Sequence, residues 1–216
     1  MQAAAADPDV IALANGRHLI VVQPDVPPAK GVVLLIPGGT TLLKLGPKGQ
    51  TDSSNFVIRT RPFLLANGYA IAYMDNPSDL GEAIGRLRAM AKPVIIESTS
   101  RGTIVAGSNA ARLGPNGPDL LILTSPVTVG NDSLARVDVH SITIPALVVT
   151  NDNDTCSASP PNGARALAER LGSATILHFS SSQRSGSVCE PLSPHGYLGI
   201  ETDVMHQIIN WIESPR

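Results

Sequence analysis

The chain has 216 residues, a formal net charge of −2 and a hydrophobic fraction of 43%. That length fits one domain with a sizeable core, and the near balance of charges argues against a nucleic-acid or polyanion partner. Aromatic residues make up 3%, which weakens any reading that needs stacking platforms, and no apolar run approaches the roughly 18 residues of a membrane span.

The start, Met1-Gln2-Ala3-Ala4-Ala5-Ala6-Asp7, lacks the charged and apolar regions of a secretory signal. It resembles the small-residue stub left when such a signal is cut and a start methionine is added. Residues 1–8 are expected to form a disordered tail, with a plain cytosolic N-terminus as the alternative, and residues 9–216 to form one domain. Ile11 to Ala14 and His18 to Val22, joined by Asn15-Gly16, read as a hairpin. Pro24 to Lys30 is a loop. Gly31 to Ile36, apolar after its glycine, reads as a buried parallel strand.

Pro37-Gly38-Gly39-Thr40-Thr41 leaves that strand as a glycine turn, and Thr41 to Ser54 is a polar surface loop. The pattern then predicts a helix from Asn55 to Ala66, with Pro62 as a kink and Asn67-Gly68 as its stop. A strand follows at Tyr69 to Met74 and a helix at Pro77 to Ala91. Leu120 to Leu123 is another strand, and Ser125 to Ile144 a polar connection without a long helical pattern. Pro145 to Thr150 (strand), Pro160 to Leu171 (helix), Ala174 to Phe179 (strand) and Gly199 to Ile212 (helix) complete the chain. The alternation of strand and helix implies a parallel sheet with helices on both faces.

Between Ala91 and Leu120 lies the most informative stretch. Val94-Ile95-Ile96 is β-branched and stops at Glu97-Ser98-Thr99-Ser100-Arg101-Gly102, and the helix-compatible run Gly102 to Arg112 follows with no turn residues between. Strand, tight bend and helix place Ser100 at the bend, with Ser98 and Gly102 as the small neighbours that such a close approach needs. The bend aims the first helical N–H groups at the same spot. Ala106-Gly107-Ser108-Asn109-Ala110 repeats the small-x-Ser-x-small pattern, but inside the helix; for Ser98, Ile96 would occupy the small position. The bland alternative for Ser100 is a helix N-cap.

With that elbow the chain resembles the α/β-hydrolase superfamily. The resemblance implies a mostly parallel twisted sheet with helices on both faces, preceded here by an N-terminal β-hairpin and lacking a cap domain, because nothing long enough is inserted between Ser125 and Ile144. It implies that an N–H of Gly39 or Thr40 and the N–H of Arg101 form an oxyanion hole, each donor worth about 3 kcal/mol in comparable sites. It also implies the order nucleophile, acid, base from loops after successive strands. Asn151-Asp152-Asn153-Asp154 follows the Pro145 to Thr150 strand, so Asn151 takes the family's glycine position and Asp154 the acid, with Asp152 as the rival and an Asx-rich turn as the structural alternative.

The base is expected at His195, in Ser193-Pro194-His195-Gly196-Tyr197 between the last strand and the last helix. His178 and His206 fall inside regular elements, and His18 and His140 outside the expected loop. If the three groups assemble, the acid and base loops meet and Cys156 and Cys189 become neighbours. A disulfide would then clamp the two loops and imply an oxidising compartment, that is, a periplasmic or secreted protein rather than a cytoplasmic one. Two unrelated thiols, or a metal site drawing on the same residues, are the alternatives; neither cysteine belongs to a recognisable metal-ligand pair.

The reading that follows is a serine hydrolase cleaving a carboxylic ester or thioester of a small molecule through Ser100, His195 and Asp154. It needs no metal or organic cofactor. Lactonase, amidase or acyltransferase chemistry at the same residues is the alternative, as is a non-catalytic binding protein on the same fold.

Overall fold

A computed structural model describes residues 8–24, 26–172 and 174–215; residues 1–7, which carry most of the expected tail, lie outside them. β1 (Asp9–Ala12) and β2 (His18–Val22) form the hairpin, with Ala12 opposite His18 and Ile11 opposite Leu19. Its connection is longer than the two-residue turn that Asn-Gly alone suggests. Leu13 N–H closes on the Arg17 carbonyl at 2.9 Å, and Gly16 takes φ 70° inside a 3₁₀ turn, where a Cβ would be strained.

β2 pairs antiparallel with β4 (Ala70–Met74). From β4 the sheet is parallel, running through β3 (Val32–Ile36), β5 (Val94–Thr99), β6 (Leu120–Thr124), β7 (Ala146–Asn151) and β8 (Thr175–Phe179). Successive side chains point to opposite faces. Leu34, Ile96, Leu121 and Val148 pack beneath α3 (Gly81–Met90), α4 (Gly102–Leu113) and α5 (Pro161–Arg170). Leu35, Ile95, Ile122 and Val149 pack beneath α1 (Phe56–Arg59), α2 (Arg61–Ala66) and α6 (Glu201–Glu213). Each fully buried aliphatic side chain contributes about 1.5–3 kcal/mol, so apolar runs covered on both sides become the central strands.

Two departures from the sequence reading have local causes. The helix over Asn55 to Ala66 is two helices broken at Thr60, because Pro62 has no N–H for the Ile58 carbonyl; Arg61 Nη1 donates to that carbonyl instead, at 2.8 Å. α3 starts at Gly81, four residues later than expected. Side chains in the preceding turn compete for its backbone donors: Asn76 Oδ1 accepts from Ser78 N–H at 3.1 Å and Asp79 Oδ1 from Gly81 N–H at 3.2 Å. Glu97 on β5 is fully buried with both carboxyl oxygens unpartnered. Burial pushes its pKa up from 4.5 to about 8, so it is predominantly neutral at neutral pH.

The chain leaves β3 toward the α1 face and β5 toward the α4 face. In an open α/β sheet a crevice forms at the carboxyl ends of two such strands. Between β6 and β7 only two 3₁₀ turns, Leu134–Arg136 and Val139–Ser141, interrupt the connection, and no cap domain is inserted there.

Candidate active site

Ser100 sits at the carboxyl end of β5 with φ 52°, a left-handed value unusual for a residue with a side chain. The bend is held from both sides. Ser100 N–H donates to the Thr124 carbonyl at 3.0 Å, and the Ser100 carbonyl accepts from Thr103 N–H at 2.9 Å and Thr103 Oγ1 at 2.6 Å. The glycines around it are sterically required. A Cβ on Gly102 would stand 2.5 Å from the Ile36 and Pro37 carbonyl oxygens, and one on Gly38 would stand 2.8 Å from Ser100 Cβ. Ser98 is occupied otherwise: its hydroxyl donates to the Ile122 carbonyl at 3.1 Å inside the sheet. Ser108 lies within α4.

The loop after β7 carries Asp154, 6% exposed. Its Oδ1 accepts from Cys156 N–H at 2.8 Å and its Oδ2 meets His195 Nδ1 at 2.8 Å. Asp152, two residues earlier, points elsewhere, toward Arg165 at 3.0 Å and His178 at 3.1 Å on the surface. The structure therefore brings Asp154, and not Asp152, to His195. With Nδ1 directed at the carboxylate, Nε2 of His195 is buried and unpartnered among the described residues. Ser100 and His195 line the same cleft, but no hydrogen bond joins them in this structure. Cys156 and Cys189 form a disulfide that spans 33 residues of chain and joins the two loops.

The cleft is about 270 Å³, and its lining includes Gly38, Gly39, Thr40, Glu190, Pro191 and His195. The N–H groups of Gly39, Thr40 and Arg101 donate to no described backbone carbonyl. Gly39 and Thr40 border the cleft itself, whereas the Arg101 side chain turns outward to Asp132 at 2.6 Å.

Several further groups hold the His195 loop. Asn151 Nδ2 donates to the Pro194 carbonyl at 2.9 Å, and Arg59 Nη2 donates to the Gly196 carbonyl while pairing with Glu201. Ser125 Oγ donates to the His195 carbonyl at 2.8 Å. The buried Tyr197 hydroxyl accepts from Ser125 N–H at 2.9 Å and donates to the Val149 carbonyl at 2.9 Å. Of these, only Asn151 and Tyr197 sit inside stretches that the sequence singles out; Ser125 and Arg59 reach the loop across 70 and 137 residues of chain. Thr41 at 63°, Ser125 at 43° and Tyr197 at 60° share the left-handed backbone of Ser100. Among the described residues no group of three or more His, Cys, Asp or Glu is arranged to hold a metal ion, and no helix is long and apolar enough to cross a membrane.

No family model and no curated relative matches this chain. Solved structures do. Est1E from Butyrivibrio proteoclasticus is similar with a TM-score of 0.67 at 14% identity, over 96% of this chain and 98% of that one. An acetyl ester-xyloside bifunctional hydrolase from Caldicellulosiruptor lactoaceticus gives 0.63 at 15% identity, over 93% and 89%. An acylaminoacyl peptidase from Pyrococcus horikoshii gives 0.64 at 11% identity, over 96% of this chain and 42% of that one. What is shared at such identities is architecture: the chain has the α/β-hydrolase fold.

Proposed function

We propose that the protein is a serine hydrolase acting on carboxylic esters, with Ser100 as nucleophile, His195 as base and Asp154 as the group that orients the base. The observation that carries this reading is the arrangement around His195. Its Nδ1 is held by a buried carboxylate at 2.8 Å while Nε2 is unpartnered in a residue that borders the cleft together with Ser100. A neutral imidazole held in that tautomer has one free acceptor, which is what an unactivated hydroxyl needs.

In the reaction, Nε2 takes the Ser100 proton as Oγ bonds to the ester carbon. The carbonyl π pair moves onto oxygen, where N–H groups of Gly39 or Thr40 and of Arg101 stabilise it. Collapse re-forms the carbonyl and breaks the bond to the alcohol oxygen, which receives the proton from His195. Water, deprotonated by the same nitrogen, then attacks the acyl-enzyme; the acid leaves and Ser100 regains its proton. The Asp154 carboxylate stabilises the imidazolium throughout and does not itself take the proton. The Cys156–Cys189 disulfide supports an exported protein, since such bonds persist in oxidising compartments.

The same groups could cleave an amide, and one structural neighbour is an acylaminoacyl peptidase. Paired ester and anilide substrates of one acyl group separate the two readings. The primary test is labelling by a fluorescent fluorophosphonate in wild type and Ser100→Ala, with the adduct mapped by mass, followed by a p-nitrophenyl ester series. Labelling at Ser100 that the variant loses, together with ester turnover, supports the proposal. Folded, oxidised wild type that neither labels nor turns over esters sinks it in favour of a binding protein.

A further inference from the structure

Asn55 stands at the N-cap of α1 with its side chain unused. Asparagine is among the best capping residues, yet this one makes no side-chain capping hydrogen bond. The helix start is satisfied otherwise, as the Asn55 carbonyl accepts from Ile58 and Arg59 N–H at 3.0 and 2.9 Å. The residue is only 8% exposed, and its Oδ1 is sealed from solvent with no hydrogen-bond partner. A buried amide in that state calls for an explanation, because nearly all buried polar groups are paired.

Its position bears on the other end of the amide, the donor Nδ2. Asn55 borders the cleft that holds Ser100 and His195. Its Nδ2 lies against Gly38: a methyl group there would stand 3.4 Å from Nδ2 and 2.8 Å from Ser100 Cβ. The amide and the serine thus flank the same gap, at the entrance to the Gly38-Gly39-Thr40 turn. Because no partner holds Oδ1, the amide plane can turn about its terminal torsion, which is broad for asparagine. Nδ2 is then free to follow an oxygen that moves as its carbon goes from trigonal to tetrahedral.

We propose that the Asn55 side-chain amide is an additional donor to the carbonyl oxygen of the substrate, bonding most strongly once that oxygen carries negative charge. The inference rests on the reading of Ser100 as nucleophile and adds a side-chain member to an oxyanion site otherwise made of backbone N–H groups. A neutral donor bonds more strongly to the charged species than to the ester, so its loss acts on kcat more than on KM. No proton leaves the amide.

The test compares wild type with Asn55→Ala, Asn55→Asp and Asn55→Ser, using p-nitrophenyl acetate turnover and inhibition by phenylboronic acid, a probe that forms a tetrahedral anionic adduct. Thermal midpoints are recorded for all. Asn55→Ala is expected to lower kcat by about 10- to 100-fold, within the range for loss of one donor, with KM within about twofold and boronate affinity reduced by a similar factor. Asn55→Asp, the same size without the donor, recovers nothing, whereas Asn55→Ser recovers part of the loss through its hydroxyl. If alanine does not fold, the aspartate and serine variants decide. Wild-type kcat in folded variants, a rise in KM alone, or a fall in kcat with boronate affinity intact each overturns the proposal and leaves the hydrolase reading standing. Wild type that neither turns over ester nor binds boronate in a Ser100-dependent way overturns both.

Discussion

The Ser125 hydroxyl lies 3.0 Å from the Tyr197 phenol oxygen and donates to the His195 carbonyl at 2.8 Å, so one small side chain joins the end of β6 to the loop that carries the histidine. Burial pushes the Tyr197 phenol pKa up, so the group stays protonated and can keep donating to Val149. Tyr197→Phe removes the acceptor of Ser125 N–H and the donor to Val149 together. The expected cost is about 1–3 kcal/mol for disrupted buried polar groups, read by urea denaturation, with a fall in ester turnover as the His195 loop loosens. Unchanged stability and turnover would show that this brace is idle.

Asp154→Asn keeps the shape of the acid but presents an amide to His195 Nδ1 and favours the wrong imidazole tautomer. Turnover should fall by about 10³- to 10⁴-fold while the thermal midpoint moves little. Asp152→Asn, which only disturbs the exposed contacts with Arg165 and His178, should leave turnover within about twofold. Equal losses from both variants would contradict the assignment of Asp154.

Reduction of the Cys156–Cys189 bond, or replacement of both residues by serine, opens a closed loop of 33 residues. Loop entropy alone predicts a loss of roughly 3–4 kcal/mol. Because the bond ties the Asp154 loop to the His195 loop, ester turnover should decline before global unfolding as reductant is raised. Coincident loss of activity and fold would show that the bond acts on global stability alone.

Glu97 gives a pH dependence with a definite sign. Below 4.5 the folded and unfolded chains both hold its proton. Between 4.5 and about 8 only the unfolded chain releases it, so stability falls as pH rises, by about 1.4 kcal/mol per pH unit across that window. Above about 8 both states are ionised and this slope ends. Glu97→Gln has no such proton, and its stability relative to wild type should climb from pH 5 to pH 8. Parallel stability curves would mean that Glu97 is not neutral in the fold.

How much of this was legible follows from how local each signal is. β3 and β5 are apolar runs closed by Pro37 and by the Ser98–Gly102 cluster, so their burial and the bend at Ser100 can be read from neighbours in the chain. His195 stands out through its place between β8 and α6. The preference for Asp154 over Asp152 rests in the sequence only on the position that Asn151 takes in the resembled family's pattern, because both aspartates lie in one turn. In the fold Asp152 N–H docks on the Phe179 carbonyl at 2.8 Å and its carboxylate meets Arg165 and His178, so Asp154 alone of the two reaches His195. Asn55 reads as an ordinary helix start, and only its unused cap and its place beside Gly38 distinguish it. Arg59, Ser125 and Tyr197 act through contacts between distant segments, for which no spacing rule exists.

Among the described residues the four non-glycine ones with left-handed backbone, Thr41, Ser100, Ser125 and Tyr197, all belong to the cleft or to the loops that frame it. Each such residue costs on the order of 1 kcal/mol that glycine would not. At Ser125 and Tyr197 the buried side chains outweigh that cost through their hydrogen bonds and packing, so a thermostability screen that ignores activity would be drawn to glycine at Thr41 and Ser100 instead. Hardening this protein against heat while keeping its chemistry means confining the search to sites remote from the rim, such as the β1–β2 hairpin and the exposed side of α3.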